Sequence, residues 1–193
     1  MGVGEWGNDG AARLFLGVEP PAGARRALEA HLREALGGRG LPGRAVAPAN
    51  WHLTLRFLGE TPPERRAALV RALEEADPGP GFTLGFGGLG AFPRPARAAV
   101  LWLGVEEGTS ALGALAGVAE AAAQRAGFPA ETRPFSPHLT LSRIRPPRDV
   151  GSIVERVPAF LGRIPVEEMV LYRSHPGPGG VRYEAVGRFP LRP

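Results

Sequence analysis

The chain contains no cysteine, which excludes disulfides, thiolate metal sites and cysteine nucleophiles. It has no apolar run approaching the roughly 18 residues of a membrane span, and residues 1 to 12 lack the basic and apolar regions of a signal peptide. A soluble, cytoplasmic, monomeric protein with no membrane association is therefore expected. Lysine is absent as well, and all 23 basic residues are arginine. With a formal net charge of +4 this is a mild positive bias, and alongside 28 Gly and 21 Pro it reads as coding bias more than as a nucleic-acid footprint. Local order says more: Arg143, Arg145 and Arg148 run on with no acid until Asp149, so a phosphate near them would meet positive charge. No acidic cluster or His/Asp/Glu spacing suggests a metal site, and no cofactor is expected.

What is present is a repeated tetrapeptide. His52-Leu53-Thr54-Leu55 recurs as His138-Leu139-Thr140-Leu141. By ordinary residue frequencies a given His precedes Leu-Thr-Leu about once in a thousand times or less, and this chain has only four His. Each copy reads as a strand, in which alternate side chains share a face. An imidazole and a hydroxyl then stand together, anchored by Leu residues behind. The repeat extends further, because Leu14-Phe15-Leu16-Gly17-Val18 is echoed by Leu101-Trp102-Leu103-Gly104-Val105. The offsets are 87 positions for this pair (14 to 101) and 86 for the histidines (52 to 138).

An internal duplication follows. Each half should run strand, helix, His strand, helix, strand, and the halves should pack about a pseudo-twofold axis with both histidines facing one cleft. The fold class expected is α+β, two lobes of antiparallel sheet with helices on their outer faces. Residues 1 to 12 are expected to be a disordered tail and 13 to 193 one domain. Strands are expected at 13 to 18, 51 to 58, 82 to 90, 98 to 105, 138 to 144, 164 to 173 and 181 to 189. Helices should follow Pro20-Pro21, Thr61-Pro62-Pro63-Glu64 (a capping box with proline at the first helical position) and about residues 110 and 149.

Two histidines, two hydroxyls and arginine suit in-line displacement at a phosphodiester. One imidazole takes a proton from the nucleophile while the other protonates the leaving oxygen, and a pKa near 6.5 allows both states at working pH. Thr54 and Thr140 would donate to the non-bridging oxygens.

These residues closely resemble the 2H phosphoesterase family, named for two His-x-Thr motifs, and within it the RNA 2',3'-cyclic phosphodiesterases, also called 2'-5' RNA ligases. The resemblance runs from Arg13 to Leu191 and includes Arg13-Leu14-Phe15, the stretch from Asn50 to Glu60, Phe92-Pro93, Leu101-Trp102, Pro137 to Leu141 with Arg143, and Tyr183 and Phe189. It implies metal-independent hydrolysis of RNA 2',3'-cyclic phosphate ends to 2'-phosphomonoesters. It assigns His52 as general acid to the leaving 3'-oxygen and His138 as general base to water. The partner it implies is an RNA or oligonucleotide with a 2',3'-cyclic phosphate end. Ligation, another small cyclic phosphate, or non-catalytic binding of RNA ends stay open as alternatives.

The resemblance places Arg143 at the phosphate, whereas strict alternation from His138 turns it away and turns Arg56 inward. A bulge would reverse this. Phe15 and its repeat mate Trp102 are candidates for stacking a base, or for ordinary packing. His31 and His175 lie outside both motifs and are expected to be bland.

Overall fold

A computed structural model describes residues 10 to 178 and 180 to 193. Residues 1 to 9 of the expected tail lie outside the described residues. Strand β1, Ala12–Val18, alternates as anticipated, with Leu14 and Leu16 in the main core and Phe15 on the other face. Helix α1, Ala22–Ala35, buries Leu28 and Leu32. A short strand β2, Arg44–Ala45, leads through a 3-10 turn, Pro48–Asn50, to β3, Leu53–Thr61. Helix α2, Pro63–Glu74, begins with proline at its first turn, but no capping box forms. Thr61 is still the last residue of β3, and its hydroxyl donates to the Gly59 carbonyl at 3.0 Å, so Pro62 takes the cap position without a side chain able to serve it.

The second half brings β4, Phe82–Phe92; β5, Ala98–Glu107; α3, Thr109–Arg125; and β6, His138–Arg148. Helix α4, Gly151–Arg156, ends after six residues because Val157 precedes Pro158 and adopts extended backbone. The single strand expected at 164 to 173 is in fact two, β7 (Arg163–Val166) and β8 (Glu168–Gly177), which serve different neighbours. Strand β9, Gly180–Pro190, closes the chain's sheet.

The strands form one antiparallel sheet in the order β7-β4-β5-β6-β3-β1-β8-β9, with β2 also on β6. Its midpoint is the junction of the two His strands. Each half sends a late strand across: β4, which follows α2, pairs with β5, and β8, the second strand after α4, pairs with β1. Each lobe is thus completed by the neighbouring half, and the duplication appears as four strands either side of the β3–β6 seam. Leu53 and Leu139 are the paired residues at that seam, and both are wholly buried.

Bulges disturb the alternation on both His strands at the same place. Leu16 pairs with Arg56 and Gly17 with Thr54, which leaves Leu55 as an extra residue in β3. Likewise Leu101 pairs with Ser142 and Trp102 with Thr140, leaving Leu141 extra in β6. A bulge sends two successive side chains to one side, and here Leu55-Arg56 and Leu141-Ser142 all turn to the buried side. Arg56 is consequently only 9% exposed. Its guanidinium joins Glu120 of α3 and the carbonyls of Phe57 and Pro129, clamping the helix to the sheet.

Removing this cation strands a partly buried carboxylate and two carbonyls. Arg56→Ala should therefore cost about 2–3 kcal/mol in chemical denaturation. An exposed pair such as Arg125 with Glu75 should be worth under about 1 kcal/mol in the same assay.

Candidate active site

The seam pair Leu53 and Leu139 sets the register of the two motifs. Because the strands are antiparallel, His52 comes alongside Thr140 and Thr54 alongside His138. All four lie on the face opposite the Leu anchors. His52 stands just before β3, at the exit of the Pro48–Asn50 turn, and His138 is the first residue of β6. The two imidazoles are held in the same way. Nδ1 of His52 donates to the Asn50 carbonyl at 2.8 Å, and Nδ1 of His138 donates to the Ser136 carbonyl at 2.7 Å. A carbonyl oxygen only accepts, so Nδ1 must carry hydrogen and Nε2 is the atom left to exchange protons.

Aromatic rings wall each histidine. Phe15 lies 4.6 Å from His52 between centroids, and Tyr183 meets its edge at 5.0 Å. On the other side Phe92 meets His138 at 5.0 Å and Trp102 stands at 6.2 Å. Phe15, only 2% exposed and stacked on Tyr172, is a wall rather than an accessible platform, so the base-stacking expectation for it does not hold. Trp102 is partly exposed and packs against Phe92.

The bulges set the faces of the two arginines. Five residues beyond each histidine the alternation has reversed, placing Phe57 and Arg143 on the cleft face and Ile144 in the core. Arg143 is exposed, and its charge acts on both His52 and His138. Arg56 points away into its ion pair with Glu120, which rules out the phosphate-binding role that alternation suggested. Phe57, 54% exposed and 6.1 Å from Phe15, is a cleft residue that alternation missed; the signal was its position, the same step from His52 as Arg143 is from His138. Outside the motifs, His31 contacts the Pro158 carbonyl and His175 pairs with Glu184. Among the described residues no three His, Asp or Glu side chains converge as a metal site would require.

Comparison with known proteins identifies the family. The family profile "LigT like Phosphoesterase" matches residues 16–102 and 103–183, one copy per half. An RNA 2',3'-cyclic phosphodiesterase of Escherichia coli K12 is 36% identical over 180 residues, covering 93% of this chain and 96% of that protein. The chain belongs to the LigT-like phosphoesterases. The corresponding enzyme name is carried by an Archaeoglobus fulgidus protein 34% identical over 174 residues, 89% of this chain and 96% of that one. The crystal structure of E. coli LigT complexed with 3'-AMP superposes with a TM-score of 0.76 at 34% identity, covering 94% of this chain and 98% of that one. The resemblance read from the two motifs, and the duplicated fold it implied, are thereby borne out.

In this LigT-like site both histidines are biased toward the neutral form. Burial among Phe15, Tyr172 and Tyr183 pushes His52 down to about 4, overriding the hydrogen bond to Asn50, with Arg143 and His138 adding repulsion. Glu19, the acid just beyond β1, pulls weakly the other way. Burial also lowers His138, again with help from Arg143. In the unfolded chain His52 would titrate near 6.5. As pH falls from about 6.5 the unfolded state takes up the proton first, so this group progressively favours unfolding until about pH 4, where the folded form is also charged. Its contribution to stability is intact above 6.5. Replacing His52 by Gln should accordingly flatten the fall in stability between pH 6.5 and 4, measured as denaturation midpoints across that window.

Proposed function

We propose that the protein hydrolyses RNA 2',3'-cyclic phosphate ends to 2'-phosphomonoesters without a metal ion. The observation that carries this reading is the convergence of two Nδ1-anchored histidines, each beside the other motif's threonine, on a face that Arg143 supplies with charge. The names of the Escherichia coli and Archaeoglobus relatives support the substrate, and the 3'-AMP bound to E. coli LigT supports a nucleotide ligand.

The cyclic phosphate lies between the two imidazoles. His138 Nε2 takes a proton from water as its oxygen bonds to phosphorus. The bond from phosphorus to the 3'-oxygen breaks, and His52 Nε2 delivers a proton to that oxygen, leaving a 2'-phosphate and a 3'-hydroxyl. Solvent then restores the two protonation states. Thr54 and Thr140 donate to the non-bridging oxygens, and the Arg143 guanidinium holds charge that stays on the phosphoryl group throughout.

The acid must be charged when substrate is bound, although its surroundings disfavour this. An anionic phosphate reverses the balance. Its charge offsets that of Arg143 and favours the imidazolium, so the substrate itself raises the pKa of its acid. The limbs of kcat/KM, which report the free enzyme, should both lie below pH 6.5, and the corresponding limbs of kcat should lie higher. Coincident profiles would count against this coupling.

An oligonucleotide carrying a 2',3'-cyclic phosphate, incubated with the protein in EDTA, tests the reading directly. Conversion to the 2'-phosphate should proceed, and a requirement for added metal would overturn it. His52→Ala and His138→Ala should each lower kcat by about 10²-fold or more with the fold retained. His31→Ala and His175→Ala serve as controls with little effect. Arg143→Ala should weaken binding of a 2'-phosphorylated product by about 2 kcal/mol, and Arg143→Lys should recover only part because the planar fork is lost.

A further inference from the structure

Strand β2 places a second arginine beside Arg143. Arg44 and Arg143 are direct partners in the antiparallel pairing of β2 with β6, so their side chains leave the same face with Cβ atoms about 5 Å apart. That face is the cleft. The close approach is built in. Gly43 has φ 75°, and a Cβ there would lie 2.5 Å from the Arg143 carbonyl oxygen, so only glycine lets β2 settle on β6. A hydrogen bond from the Val46 amide to the Leu141 carbonyl, 2.8 Å, continues the pairing.

The chain from 43 to 51 is fastened at further points. Trp51 Nε1 donates to the Val46 carbonyl at 3.1 Å, and Asn50 Nδ2 reaches the Val181 carbonyl of β9 at 2.7 Å. The Arg44 guanidinium extends in that direction too, lying against Gly180 where β9 begins. It thus bridges from the second lobe toward the first, at the end of the cleft.

Like charges directly opposite each other on adjacent strands destabilise a sheet. Many arginines of this protein are held by carboxylates, yet among the described residues neither Arg44 nor Arg143 has such a partner, and both are exposed. Two uncompensated arginines leaving one face from paired backbone positions suit a ligand with two successive negative charges. Arg143 is already committed to the reacting phosphate.

Building on the function proposed above, we infer that Arg44 binds the next phosphodiester of the RNA strand, the one immediately 5' of the terminal nucleotide. The site then reads at least a dinucleotide, and Arg44 sets its preference for oligonucleotide ends over free nucleoside cyclic phosphates. A nucleoside 2',3'-cyclic phosphate engages Arg143 alone.

Binding of the products tests this without relying on turnover. Titrations would compare a dinucleotide ending in a 2'-phosphate with the matching nucleoside 2'-phosphate. The parent protein should bind the dinucleotide about tenfold more tightly. Arg44→Gln should abolish most of that advantage and reduce the slope of log K against log salt for the dinucleotide by about 0.7. Arg44→Lys should retain part of both. Equal affinity of the parent for the two ligands, or a preference that survives Arg44→Gln, would overturn the assignment. A parent that shows the Arg44-dependent preference but cleaves no cyclic phosphate would instead refute the proposed function while upholding the role of Arg44.

Discussion

The architecture hangs on one contact, the antiparallel pairing of Leu53 with Leu139. Their side chains are sealed in the core, and this burial removes any freedom in the register of the two motifs. A slip of one residue would turn one strand over relative to the other, carrying its leucine to solvent and its histidine into the core. The geometry of the histidine face is therefore enforced from behind by the hydrophobic effect. A full-length pairing of β3 with β6 would have left no cleft. The strands meet at one point only: the chain leaves β6 after β2, and the 3-10 turn at Pro48–Asn50 leads it on to the single pairing at Leu53.

Much of this was legible in the sequence. The duplicated His-Leu-Thr-Leu and the matching frame around Phe15 and Trp102 revealed the two halves, the His face and the helices behind it. Alternation failed just past the motifs. It nominated Arg56 for the cleft, and the resemblance nominated Arg143. A bulge is a property of two strands together, visible only when Leu16 and Gly17 are set against Arg56 and Thr54. No pattern within β3 alone reveals it. The capping box at Thr61 failed for a related reason, since β3 ran further than its apolar pattern suggested and claimed the threonine for itself. Strand β2 was passed over entirely; two residues of exposed Arg-Ala carry no periodicity, and its existence depends on the φ of Gly43.

The repeat is symmetrical in motif and asymmetrical in surroundings. Phe57 and Arg143 occupy equivalent steps beyond the two bulges, one an exposed aromatic and the other a cation. The rings around His52 enclose it more fully than those around His138, which is why its pKa falls to about 4. A duplicated scaffold thus holds two chemically distinct imidazoles, and the proposed reaction needs just such a pair, an acid and a base.

The crossing of strands between halves bears on how the chain reaches this state. Leu16 finds its β8 partner in Leu171, and the Phe15–Tyr172–Tyr183 cluster that walls His52 draws on β1, β8 and β9. During synthesis the N-terminal lobe must wait, its first strand lacking one neighbour, until the last two strands have left the ribosome. The second lobe has β4, β5, β6 and β7 close together in sequence and faces a smaller loop-closure entropy. The nascent chain should therefore organise around His138 first, and the environment that perturbs His52 is among the last parts of the molecule to assemble.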